Sequence, residues 1–276
     1  MAKLFSVASW NVEHFKDDPS RIARVVDFVK AQNPDVFGLY EVEGAMVFDA
    51  LVGRMPGYTF QITEGPETQE ILVGVRKTLT AFITQKVEFR SGTTSMRPGQ
   101  LVTITIDGTH YALLFLHLAS GNDPRGMGLR DDMLERAFEF RRTLDKAAGG
   151  EGKARYMFLG DLNTMGMDYP FDRSIVPDIE LRKWDRYAAR KAIAMRRLVK
   201  THPASWTNGS ASRIPPSNLD HVFASGNLRF KAFKAADGSD ADVAVRGWVE
   251  EPTDARRDAW IARYSDHSLL YLELVA

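Results

Sequence analysis

The sequence predicts a mixed α/β fold in one large domain. Short strand-like apolar runs alternate with amphipathic segments over the whole length of the 276 residues. The connections between them include both hairpin-like turns and helix-sized crossovers. No proline-rich linker, internal repeat or composition step divides the chain, although its length at roughly 150 residues per domain would allow two small units.

Leu4 to Trp10 reads as the first strand. Ser20 caps a helix whose apolar positions Ile22, Val25, Val26 and Val29 follow the helical repeat, and Pro34 closes it. Asp35 to Tyr40 is a buried strand ending at Glu41. Glu70 to Arg76, Leu79 to Phe89, Leu101 to Ile106 and His110 to Leu116 supply further β structure. Met133, Ala137, Phe140 and Leu144 line one face of a second helix. Tyr156 to Gly160, Leu219 to Ala224, Leu228 to Phe233 and Leu269 to Leu274 read as later strands. Loops are marked by Pro66, Arg97-Pro98-Gly99, Gly121 to Gly128, Gly149 to Gly152 and Asn208 to Pro216.

Composition excludes several classes. Hydrophobic residues at 44% and charged residues at 26% fit a globular protein and not a disordered or collagen-like one. The absence of cysteine removes disulfides, thiolate metal sites, iron–sulfur clusters and cysteine nucleophiles. With 36 basic and 36 acidic residues, no long-range pull on a polyanion is expected, though local patches remain possible. The N-terminal residues lack the apolar core of a secretion signal, and no apolar run reaches the roughly 20 residues of a membrane span. The expectation is a soluble, cytoplasmic protein with no membrane contact and no obligate protein partner.

The chemistry-bearing residues sit where apolar runs end. Val7 to Trp10 runs into Asn11-Val12-Glu13, Phe37 to Tyr40 into Glu41, and Tyr156 to Gly160 into Asp161-Leu162-Asn163. Asp220-His221 opens one strand and Ser265-Asp266-His267 leads into the last. Carboxylates beside buried apolar runs are costly unless paired or bound to a cation. Oxygen donors without sulfur suit a hard ion, Mg²⁺ or Mn²⁺. A metal at such a site neutralises phosphate charge, and an imidazole exchanges protons near neutral pH.

Six short motifs occur in order: Asn11-Val12-Glu13, Tyr40-Glu41-Val42, Leu116-His117-Leu118, Gly160-Asp161-Leu162-Asn163, Leu219-Asp220-His221 and Ser265-Asp266-His267. Together they resemble the endonuclease/exonuclease/phosphatase superfamily, from Asn11 to His267. That resemblance implies a four-layer α/β sandwich, with two mixed sheets face to face, helices outside and one active site at the sheet ends. It implies Glu41 as the principal metal ligand, with Asn11, Glu13 and Asp266 around the metal. Asp161 and Asn163 would position the nucleophile and the phosphate, His267 would sit beside the phosphate, and Asp220 would hold its imidazole. His117 resembles the second histidine of the deoxyribonuclease I branch, Glu70 its carboxylate partner, and Arg97 a phosphate-contacting arginine. Whether Asp161 or His267 is the base stays open, as does Glu13 between a ligand and a solvated side chain.

The segment from Arg182 to Lys200 holds eight basic residues against Asp185 alone, so it carries +7 and the rest of this neutral chain −7. Trp184, Ala188, Met195 and Val199 mark an apolar side at helical spacing, with Arg186, Arg190 and Arg197 sharing another face. An ordinary solvated helix face is one reading; contact with a polyphosphate backbone is the other. The leading function is a metal-dependent phosphodiesterase acting on DNA or RNA by in-line attack of water. The alternatives are the same chemistry on a small or lipid phosphoester, and a catalytically silent binding module.

Overall fold

The computed structural model describes residues 2–65, 69–90 and 96–276, so Pro66 lies outside it. The first half of the chain forms β1 (Lys3–Phe15), α1 (Pro19–Gln32), β2 (Val36–Val42), α2 (Ala45–Arg54), β3 (Tyr58–Ile62), β4 (Glu70–Arg76), β5 (Thr80–Lys86), β6 (Gly99–Ile106) and β7 (Thr109–His117). The second half forms α3 (Pro124–Ala147), β8 (Arg155–Asp161), α4 (Pro177–Ala188), β9 (Met195–Arg197), β10 (Asp220–Ser225), β11 (Phe233–Lys234), β12 (Asp240–Ala241), β13 (Ala244–Arg246), α5 (Asp254–Arg263) and β14 (Leu269–Val275).

Two six-stranded mixed sheets result, ordered β13-β14-β1-β2-β4-β3 and β5-β6-β7-β8-β10-β9. Each has one parallel pair near its middle, β1 with β2 and β7 with β8, joined through α1 and α3 respectively. The sheets pack face to face, and helices cover both outer faces: the four-layer sandwich implied by the motifs.

Side-chain alternation explains the layering. Phe5, Val7, Leu113, Phe115, Met157, Leu159, Val222 and Ala224 fill the space between the sheets. Their sequence neighbours Ala8, Trp10, Phe37 and Leu39 face outward and pack with Val25, Val29 and Trp260. Leu114, Phe158 and Phe223 pack with Leu134, Phe138 and Trp184 on the far side. Following the inward phase to the strand ends reaches Asn11, His117, Asp161 and Asp220. The site is therefore the polar end of the inter-sheet core. Gly160, at φ 145°, lies so close to β7 that a Cβ there would sit 1.9 Å from the Leu116 carbonyl oxygen.

Several local readings change. Asp18, not Ser20, caps α1: its carboxylate accepts the Ser20 and Arg21 amides, and Pro19 takes the first helical position. The strand expected over Leu79 to Phe89 stops at Lys86 and becomes a 3₁₀ turn. Leu228 to Phe233 is not a continuous strand; Phe230 makes an isolated bridge to Leu274, and Phe233 and Lys234 pair with β12. Gly126 and Gly128 belong to α3, which Asp123 caps. The basic segment is not one helix. It leaves α4 after Ala188, turns through Ala194 at a left-handed φ of 48°, and pairs with β10 as β9. No helix among the described residues is long and apolar enough to cross a membrane.

Candidate active site

Residues separated by up to 256 positions meet at one end of the sandwich. Asn11 Nδ2 donates to Glu41 Oε1 at 3.0 Å and to Asp161 Oδ2 at 2.9 Å, joining the two sheets. Its Oδ1 accepts the Glu13 amide at 2.9 Å. As placed, Asn11 ties two carboxylates together through Nδ2, while Oδ1 holds the Glu13 backbone amide. Asp161 Oδ1 accepts the Asn163 amide, and Asn163 Nδ2 donates to the Leu118 carbonyl. His117 Nε2 and His267 Nε2 lie 3.6 and 3.7 Å from Asp161 Oδ2. Behind His267, Nδ1 meets Asp220 Oδ2 at 2.8 Å, and Asp220 is fully buried.

The backbone bends sharply to place these groups. Glu13, His14, Glu41 and Asn163 have φ between 42° and 62°, a conformation that costs non-glycine residues on the order of 1–3 kcal/mol each. The bend at Glu41 departs from strict alternation, and its carboxylate accepts the His14 amide as well as Asn11. Arg21 straps the Glu13–His14 turn by donating to the carbonyls of Val12, Glu13, His14 and Tyr264. Trp10 Nε1 donates to the His267 carbonyl and Ser265 Oγ to that of Asn11, fixing the segment before β14 to β1.

Electrostatics separate the two imidazoles. Burial opposes charge on His267, but Asp220 and Asp161 outweigh it, and its pKa is pushed up to about 10. Burial, with the charges of Arg97 and His267, holds His117 well below the ordinary histidine value. Asp161 is pushed up to about 7, chiefly by burial. Glu13 and Asp266 are raised too: burial comes first, and like charge adds to it, from Asp266 and Glu41 at Glu13 and from Glu41 and Asp220 at Asp266.

These residues open onto a cleft of about 760 Å³. Glu13, Glu41, Arg97, His117, Asp161, Asn163, Asp266 and His267 all line it. Trp206 forms part of the wall and donates to Asp266 Oδ2 at 2.6 Å. Behind the cleft wall at Gly121, the fully buried Arg130 pairs with Glu180 at 3.0 Å. It also donates to the carbonyls of Gly121 and Gly166, and Glu180 accepts the Gly166 amide. Trp206, Arg21 and Arg130 were not anticipated. Their partners are backbone carbonyls and remote carboxylates, for which sequence carries no signal.

Two expectations need correction. Glu70 does not partner His117: its carboxylate accepts the Thr63 hydroxyl, and His117 Nδ1 is buried with no hydrogen-bond partner among the described residues. Arg186, Arg190 and Arg197 do not share one helical face and do not line the cleft. Arg190 follows the end of α4 and stacks 4.0 Å over Tyr187, while Arg197 lies in β9 and pairs through two nitrogens with Asp185. Arg186 alone remains on α4, exposed.

The donor set fits a divalent cation. Glu13, Glu41 and Asp266 supply carboxylate oxygens to one cleft, and among the described residues none of them forms an ion pair with a lysine or arginine. Asp161, Asp220 and His267 also bring one donor atom each within 4.8 Å of one another. There, however, Asp220 already binds the His267 ring, and a protonated imidazole has no lone pair for a metal.

Comparison with known proteins agrees with this geometry. The profile of the Endonuclease/Exonuclease/phosphatase family matches residues 8–267. A search of curated protein sequences finds no match. Among solved structures, truncated Caenorhabditis elegans TDP2 superposes with a TM-score of 0.66 at 19% identity, covering 99% of this chain and 97% of that one. D. rerio TDP2 complexed with single strand DNA product gives 0.65 at 18%, covering 99% of each. The 3′ phosphatase NExo from Neisseria, bound to a product DNA hairpin, gives 0.65 at 15%, covering 99% and 100%. At these identities the likeness is one of fold. The family-profile match, spanning nearly every motif, establishes that the chain belongs to the endonuclease/exonuclease/phosphatase family, whose members are divalent-metal-dependent phosphoric-ester hydrolases.

Proposed function

We propose that this protein is a Mg²⁺- or Mn²⁺-dependent phosphodiesterase that hydrolyses nucleic acid by direct in-line attack of water. The observation that carries the reading is the placement of Asp161 between Asn11 and Glu41 on one side and the His267–Asp220 couple on the other. Glu41 is the principal metal ligand, with Asp266 and Glu13 beside it. When bound, the cation supplies charge neutralisation at the non-bridging oxygens and stabilises the departing oxygen.

The remaining steps belong to the chain's own side chains. Asp220 holds His267 protonated at Nδ1 and fixes the ring, so Nε2–H faces the cleft as a cationic donor to the phosphate. Asp161 orients the attacking water and takes up its proton; a carboxyl raised to about 7 is poised for that exchange near neutral pH. Asn163, buried beside it, and Arg97, on the cleft wall, contact the phosphate. His117 acts as a neutral hydrogen-bonding imidazole. Support for nucleic acid as substrate comes from the solved relatives, two of which are described with DNA products bound.

The test is cleavage of oligonucleotides by purified protein with Mg²⁺, with Mn²⁺ and with EDTA. Cleavage should need the metal, and His267→Ala should lower kcat about a hundredfold to ten-thousandfold without loss of fold. Metal-independent cleavage would defeat the mechanism. Cleavage only of lipid or small phosphoesters would replace the substrate, and no cleavage of any phosphoester would leave a binding module.

A further inference from the structure

Resting on the nucleic-acid reading above, we propose that the hairpin tip bearing Tyr169 and Phe171 is a stacking platform for an unpaired nucleobase at the mouth of the cleft. Ten large hydrophobic side chains stand exposed among the described residues, and four of them, Tyr169, Phe171, Val176 and Ile179, fall within one short stretch. A fifth, Ile214, lines the cleft. Exposed apolar residues gathered at one place mark a contact surface more often than singly scattered ones do.

Phe171 is 85% exposed, and its ring meets Tyr169 edge-on, with centroids 5.8 Å apart at 74°. A T-shaped pair of this kind leaves aromatic face open for a third ring. The mount is fastened on both sides. Met167 and Ile175 exchange backbone hydrogen bonds of 2.7 and 2.8 Å at the base of the hairpin. Asp168 donates its amide to the Asn122 carbonyl at 2.6 Å and accepts from Asn122 Nδ2 at 2.5 Å, and Asn122 lines the cleft. The aromatic pair is thus tied to the pocket wall, beyond Asp161 and Asn163 along the chain.

The chemistry favours a base over a phosphate. Asp172 and Arg173, next to Phe171, cancel in charge, so the tip offers no net attraction to a polyanion. An aromatic face stacks any base without reading its edges. In a duplex both faces of each internal base are already covered. The platform therefore favours single strands and frayed ends over intact duplex, which names the form of nucleic acid this site takes.

The experiment compares wild type, Phe171→Ala and Phe171→Trp on a short single-stranded oligonucleotide, a blunt duplex and bis(p-nitrophenyl) phosphate, all with Mg²⁺. For the single strand, Phe171→Ala should raise KM about five- to hundredfold, the range of aromatic–base stacking, with KM for the small diester unchanged. Phe171→Trp should restore affinity, and its added fluorescence should be quenched when the single strand binds. Unchanged KM for the single strand in Phe171→Ala would overturn the proposal, as would an equal loss on the blunt duplex. Phe171-dependent binding to phosphatidylserine vesicles without any effect on oligonucleotide KM would overturn it in favour of a membrane contact. Wild type that cleaves the small diester but no oligonucleotide would instead remove the nucleic-acid reading on which the platform rests.

Discussion

The β1–β2 pair carries carboxylates at both of its ends, and the surroundings of the two sets differ. At the start, Asp35 accepts from the Ser6 amide and hydroxyl at 2.9 Å each, from Lys3 at 2.8 Å and from Arg76 at 2.9 Å. Burial pushes this carboxyl up, but Lys3 and the Ser6 donors outweigh it and hold it below the ordinary aspartate value. Around the far end, Glu13 of β1, Asp161 from β8 and Asp266 from the segment before β14 are all pushed up, chiefly by burial. The same two strands therefore run from one carboxylate matched by cations to a group of carboxylates whose burial is not fully offset by the positive charges nearby. The first arrangement favours folding; the second favours capture of something the chain does not itself contain.

The largest expected effect would come from removing Glu41, the proposed principal ligand. Glu41→Ala should lower metal-dependent phosphodiester cleavage at least about a hundredfold, while its melting temperature in EDTA stays level or rises. A fall in melting temperature as large as that of an Asp35 variant would erase the contrast between the ends. Next is the response to metal. Mg²⁺ at a hundred times its Kd should stabilise the protein by about 2.7 kcal/mol, and Glu13→Gln should melt higher than wild type in EDTA and gain less from Mg²⁺. A Glu13→Gln protein that melts lower in EDTA would mean that the charge at this end is already balanced.

The smallest effect, and the sharpest in pH, belongs to the opposite end. Asp35→Asn should cost about 1.5–3 kcal/mol at pH 7, the worth of hydrogen bonds to a charged group, with activity unchanged. Because the folded pKa of Asp35 is depressed, its contribution is complete above the unfolded value near 3.8 and fades as pH falls through the folded value. Denaturation of the two proteins should therefore converge in acid. A gap that persists at low pH would show the loss to be packing and not charge.

Much of the site was legible because alternation carries it. Asn11, His117, Asp161 and Asp220 continue the inward phase of apolar strands, so a polar residue there had to meet the others at the sheet ends. Glu41 is out of phase, and only the motif around it marks it, since the left-handed bend that turns it is not written in residue type. The basic segment misled for a related reason. Its spacing mimicked one long helix across Ala188, and part of its charge is paired, Arg197 with Asp185 nearby, Lys183 with Asp131 and Arg196 with Asp242 from distant parts of the chain. Charge counted along a sequence ignores partners supplied by the fold. Arg21 and Trp206 were invisible because they serve turns and carboxylates that exist only after folding.

Arg130 and Glu180 give the cleft a mechanical character. A guanidinium sealed in the interior that grips Gly121 on one rim loop and Gly166 on another makes α3, α4 and both loops a single stiff body. Separating α3 from α4 would break the buried pair and strand a charge away from water, a penalty of roughly 3–5 kcal/mol. A phosphoester substrate therefore meets that wall already shaped and must fit it, as a key to a fixed ward, before chemistry can begin.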